Sequence, residues 1–289
     1  MKINSRFNKI YILESLPEMH LSTGKRLYED TIAWKGLTID DLNCELFQPK
    51  GINDFFETIE KIYQEVKNWT YPLLHIEAHG SRDGLKIASG DVIEWESLRE
   101  TLTKINISCR NNLVVTMGAC EGIYLFQILQ PIHRAPFCAL IGPKRKITAG
   151  QLENDYSAFY SELLHSFNGN SALSKLNSNS KGENIYSFLG CNYLFSTVYA
   201  NYHRGLCKGI GSKKRIERLV TETKKDLKGK GLQLKEIRGR IKHQIKGRQK
   251  EYFEQYKNHF FMIDLFPENE SRFDISFDEV ISNKALLIK

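Results

Sequence analysis

The chain has 289 residues, 41% hydrophobic and 26% charged, which is enough apolar material for one large domain or a core domain with an appendage and excludes a disordered chain. No apolar run approaches the roughly 20 residues that span a bilayer, and "MKINSRFNKIYILESLPE" is too soon broken by charge for a signal peptide, so a cytoplasmic protein without membrane association is expected. The net charge of +7 is concentrated in residues 204–250, where 17 Lys and Arg face 4 Asp and Glu, a surplus of 13 that leaves the remainder near −6.

The first two-thirds alternates β-type runs with helical patterns. "KIYILES" (9–15) and the shorter "CELF" (44–47) read as strands, and in 53–69 Phe56, Ile59, Tyr63 and Val66 recur at helical spacing. "PLLHI" (72–76), "LVVTM" (113–117) and "FCALIG" (137–142) are near-continuous apolar runs, the pattern of strands covered on both faces. Between the first two of these, "LKIASGDVIEW" reads as a small hairpin about Ser89, Gly90 and Asp91. Ser97 with Glu100 then forms a capping-box pattern ahead of a helix through Leu98, Leu102 and Ile105.

A further helix is expected from about Leu152 to Phe167, with Gly169 as its stop. The polar stretch 170–184 reads as part helix and part loop, and "IYSFLGCNYLFSTVYANY" (185–202) as a buried helix. Ile216, Leu219 and Val220, then Leu234, Ile237, Ile241 and Ile245, keep helical spacing through the basic stretch. The tail "FFMIDLFPENESRFDISFDEVI" fits one or two strands or a docking segment. Strands alternating with helices predict an α/β fold with a mostly parallel central sheet flanked by helices over 1–203. A basic, mainly helical region follows over 204–289.

Two of the apolar strands end alike. "YPLLHI" runs into "EAHG", and 41 positions beyond His79 "NLVVTM" runs into "GACEG" around Cys120. In a doubly wound sheet, functional groups gather beyond the carboxyl ends of strands, so His79 and Cys120 meet if their strands are neighbours. A thiol is only a few per cent ionised at pH 7 and needs such a base beside it to act as a nucleophile. Gly80 and the Cys120 amide are the natural donors to an oxyanion, and Gly118 and Gly122 allow a tight turn about the nucleophile. The other cysteines (44, 109, 138, 191, 207) lie mostly in apolar runs with no C-x-x-C pair, which favours reduced packing thiols over disulfides or zinc.

"LLHIEAHGSRDGLKI", "LVVTMGACEG" and "FCALIGPKRKITAGQLENDYSAFYSELL" together resemble the caspase-like cysteine peptidases, and within them the bacterial CHAT branch, kin to caspases and separase. The resemblance covers roughly residues 9–170 and rests on His79-Gly80, Ala119-Cys120-x-Gly122, the intervening hairpin and the order His before Cys. Caspases carry their histidine about 50 residues upstream of a Q-A-C-x-G cysteine; here Gly118 stands in place of the Gln, so the chain is not a caspase proper. The resemblance implies a caspase-type α/β sandwich, Cys120 as nucleophile, His79 as acid/base, Gly80 as oxyanion donor and a protein substrate. It further implies an effector of an antiphage or regulated-death system, held inactive until an activating partner or nucleotide signal arrives.

Glu77 shares a strand face with His75 and His79, and Glu153 and Asp155 follow the fifth strand near the expected cleft. All three acids are candidates for lining the cleft or orienting the base. His75 reads as a core residue. "HIEAH" lacks the helical H-E-x-x-H order of zinc hydrolases, and no cofactor motif is present. The alternative to a peptidase is a catalytically silent caspase-like scaffold whose basic segment 204–250 binds nucleic acid or a nucleotide.

Overall fold

The computed structural model describes residues 7–66, 70–178, 183–226 and 233–283. They form two compact units: one takes the residues up to 129 together with 135–191, the other 130–134 and those from 192 onward.

The first unit starts with β1 (Lys9–Glu14), an irregular helix made of α1 (Thr23–Leu27), a π-helical turn (Tyr28–Ile32) and α2 (Ala33–Gly36), and then β2 (Asn43–Phe47). Next come α3 (Ile52–Glu65), β3 (Pro72–Glu77), and a small antiparallel sheet of β4 (His79–Gly80), β5 (Gly84–Lys86) and β6 (Val92–Glu94). It ends with α4 (Arg99–Ser108), β7 (Val114–Gly118), β8 (Ala139–Pro143), α5 (Ala149–Ser166), α6 (Gly169–Leu176) and β9 (Tyr186–Gly190).

The main sheet has six strands in the order β2-β1-β3-β7-β8-β9, parallel throughout except for β9, which runs antiparallel along β8. Every residue of β3, β7 and β8 is buried, as their unbroken apolar runs predict. On one face Ile10, Ile12, Leu73, Val114 and Ile141 pack with Leu152, Tyr156, Phe159 and Leu163 of α5. β1 leads to β2 on one side, whereas β3 leads to β7 on the other, so the strand order reverses between β1 and β3, the place where loops at the carboxyl ends diverge.

Four local expectations are corrected. The 185–202 segment is not one helix: residues 186–190 complete the sheet edge as β9, and only then does α7 (Cys191–Tyr202) begin. A buried strand and a buried helix share an all-apolar composition, so pattern alone does not separate them. Gly169 does not stop α5; Phe167 does, at φ 50°, while the Asn168 side chain accepts from Asn170 N and Ser171 N and makes Gly169 the first residue of α6. The capping box at Ser97 is not formed, because a 3-10 turn over Trp95–Leu98 leads into α4 with no side-chain cap on either. The buried stripe of α3 is Phe55, Ile59 and Ile62 rather than one through Phe56 and Tyr63; the end of that expected helix, 67–69, lies outside the described residues.

The second unit is helical. α7 runs through a π-helical turn (His203–Cys207) to α8 (Gly209–Asp226), α9 (Leu234–Gly247), α10 (Gln249–Phe260), a 3-10 turn (Pro267–Arg272) and α11 (Phe277–Ser282). The described part of the tail therefore holds a turn and a helix, and no strand. Phe195 and Tyr199 of α7 pack edge to face on Phe253, and Phe195 also meets Phe260 and Phe261 at a tilt, which is why α7 joins this unit and the division falls at 191/192 rather than near 204. Residues 227–232 of the basic stretch lie outside the described residues. Among the described residues no helix is long and apolar enough to cross a membrane.

Candidate active site

The segments that follow four adjacent strands, β1, β3, β7 and β8, supply one residue each: His20, His79, Cys120 and Ile147. β3 and β7 pair in parallel with Glu77 opposite Gly118, so the histidine and cysteine turns leave the sheet at the same level, two residues further on. Gly80 makes their meeting possible. A Cβ built there would fall inside the van der Waals sphere of the Cys120 carbonyl oxygen and 2.9 Å from Ala119 Cβ, so only glycine lets the two turns touch. The turns are also bridged at their rims, where Arg82 Nε donates to Glu121 Oε1 at 3.1 Å and its guanidinium lies over the Tyr124 ring.

His79 is exposed at the start of β4, paired with Lys86 of β5. Its Nε2 lies 2.7 Å from His20 Nδ1, which fixes the ring and leaves Nδ1 as the nitrogen without a protein partner among the described residues. Partial burial of the ring, then electrostatic interaction with His20 and Lys86, lower its pKa below that of a free histidine, which favours the neutral imidazole at pH 7.

Cys120 follows β7 in a turn whose next residue, Glu121, adopts a left-handed conformation at φ 56°. The amide of Gly122 closes the turn on Ala119 O at 3.0 Å. The Cys120 amide itself has no acceptor among the described residues, so its donor is not engaged within the fold. The sulfur lies 3.4 Å from both the amide nitrogen and the carbonyl oxygen of Ile147, one group able to donate to it and one to accept from it. His79 and Cys120 are not bonded to each other. Burial pushes the Cys44 thiol up to about 11 and the Cys109 thiol up to about 12.

The remaining expected residues sit deeper. His75 is fully buried, with Nδ1 2.8 Å from Thr116 Oγ1, which is itself 2.9 Å from the Tyr160 hydroxyl. Glu77 is buried, accepts from the Thr23 hydroxyl and lies 3.5 Å from His75 Nε2; it does not hold His79. Asp155 is also buried, where the Tyr186 hydroxyl donates to it at 3.0 Å, and Glu153 pairs with Arg26 at 3.1 Å. None of these acids is bonded to His79 or Cys120. Among the described residues no group of three or more His, Cys, Asp and Glu is placed to hold a metal ion.

Sequence reasoning missed His20 and Ile147. His20 lies in "PEMHLSTG", beyond the carboxyl end of the first strand, so the strand-end rule that found His79 applied to it as well. Ile147 acts through its backbone and left no side-chain signal. Comparison of the chain with protein-family models and with curated proteins finds no match.

Proposed function

We propose that the chain is a caspase-like cysteine endopeptidase in which Cys120 is the nucleophile and His79 the acid/base. One observation carries this: Gly80 seats the histidine turn directly on the main chain of Cys120, and that contact tolerates no side chain. The six-stranded, mostly parallel sheet and the order His before Cys agree with the resemblance to the CHAT branch of the caspase-like peptidases.

Neutral His79 takes the thiol proton, the sulfur attacks the peptide carbonyl carbon, and the Cys120 amide donates to the oxygen as it gains negative charge. Collapse of this intermediate breaks the C–N bond, and the imidazolium gives its proton to the departing amine. Water, deprotonated by the same imidazole, then attacks the thioester, releasing a carboxylic acid and restoring the thiol. The Ile147 amide solvates the sulfur between these steps.

His79 is bonded to His20, and the Cys120 sulfur rests between the Ile147 amide and carbonyl. This unmade dyad supports regulation by closure of the site. Service as an effector in an antiphage or regulated-death system rests on the resemblance alone.

The test is proteome-wide mapping of new N-termini in cells expressing the parent, Cys120→Ala or His79→Ala chain. Parent-specific cuts that vanish in both variants, with unchanged melting temperature, support the peptidase. Equal cutting by Cys120→Ala overturns it.

A further inference from the structure

Ile216 and Val220 of α8 pack with Ile237 and Ile245 of α9, burying one stripe of each helix. On α9 each cation of the series Arg238, Lys242 and Lys246 comes one position after one of the series Ile237, Ile241 and Ile245, so turning the apolar stripe inward brings the cations together along the edge of the seam. A cleft of about 850 Å³ opens there, lined by those three cations, by Lys208 and Lys213 at the start of α8, and by Glu217.

Five cations thus face one carboxylate, and that carboxylate is already engaged: Glu217 receives the Arg238 guanidinium through two bonds of 2.7 Å. Lys208, Lys213, Lys242 and Lys246 have no carboxylate within ion-pair distance among the described residues. Like charges held around a concavity repel, and a bound polyanion relieves that repulsion. Gly209 and Ser212 also line the cleft, so the first turn of α8 adds the positive end of its dipole. The volume falls in the range of small-molecule sites, roughly 300–1,000 Å³. Among the described residues no aromatic ring lines the cleft, which gives bases no stacking platform there.

We propose that this cleft binds the oligophosphate group of a small molecule, carried by a nucleoside triphosphate or as free polyphosphate. The proposal stands independently of the peptidase.

The test is calorimetric titration of the full chain with tripolyphosphate and with ATP at about 150 mM salt. Three proteins are compared: the parent, Lys242→Gln with Lys246→Gln in the cleft, and Lys224→Gln with Lys225→Gln, an equal charge loss on α8 outside it. Saturable binding weakened at least about 10-fold by the cleft pair and under about 3-fold by the control pair is expected. Equal affinity for the two ligands assigns recognition to phosphate alone, and tighter binding of ATP adds a contact to the nucleoside; both support the proposal. No saturable binding, or equal weakening by both pairs, overturns it. So does preferential binding of a short DNA duplex that tripolyphosphate does not displace.

Discussion

His20 Nδ1 and His79 Nε2 lie 2.7 Å apart, with their rings edge to face at 77°. The bond needs one N–H and one lone pair, and protonation of both rings would turn two N–H groups and two positive charges toward each other. His20 therefore both orients His79 and disfavours its protonation, in concert with burial and with Lys86.

Replacing His20 with Ala should lower kcat/KM for a cleaved reporter about 10-fold, the loss of about 1.4 kcal/mol of positioning. It should also move the acid limb of the pH–rate profile upward, because one cause of the lowered His79 pKa is removed. Lys86→Gln should move the limb in the same direction with less effect at the plateau. A His20→Ala profile that falls in height and keeps its acid limb would show that His20 only supports the fold.

Gly80→Ala must push the histidine turn off the cysteine turn, because its Cβ has no room beside the Cys120 carbonyl and Ala119. Overpacking of this kind costs roughly 1–3 kcal/mol, and activity should disappear with it. Gly150, exposed in the first turn of α5 with nothing within 4 Å of an added Cβ, is the contrasting site. Gly150→Ala should leave activity intact and stabilise by roughly 0.5–1 kcal/mol. Thermal melts of the two variants should thus move in opposite directions.

Alkylation should distinguish the thiols. With a pKa of about 12, Cys109 is ionised only about one part in 100,000 at pH 7, and at about 11 Cys44 is little better. Cys120 is partly buried beside the Ile147 amide. Limiting iodoacetamide followed by peptide mapping should find Cys120 modified before Cys44 and Cys109, and His79→Ala should slow that modification. Earlier labelling of Cys109 would contradict the burial on which this ranking stands.

Acid should loosen the second unit before its carboxylates titrate. Burial lowers the pKa of His203 and of His259 below the ordinary 6.5. Between the lowered folded values and 6.5 the unfolded chain holds more protons, so stability is present above that window and is lost as pH falls through it. The melting temperature should drop between about pH 7.5 and pH 5.5. His203→Gln should flatten that dependence, and a melting temperature that rises on acidification would refute the sign.

Much of the first unit was legible because burial on both faces forces a recognisable composition. "PLLHI" and "LVVTM" became β3 and β7, with His79 and Cys120 just beyond their ends. Local pattern failed where one composition serves two structures, as in the apolar stretch that splits into β9 and α7. It failed again where a cap competes with a turn, as at Ser97 and Gly169.

By itself the sequence determined five of the six strands of the main sheet, that two of them end in a histidine and a cysteine beside glycines, and that the positive charge lies on helices with one apolar stripe. Tertiary structure alone decided that β3 lies between β1 and β7, which brings His20, His79, Cys120 and the Ile147 backbone to one edge, and that pairing α8 with α9 turns spaced cations into a cleft. The physical reason is common to both cases. Local periodicity records which face of an element avoids water, whereas hydrogen bonding between strands and packing between helices choose the neighbours, and those neighbours lie tens of residues away along the chain.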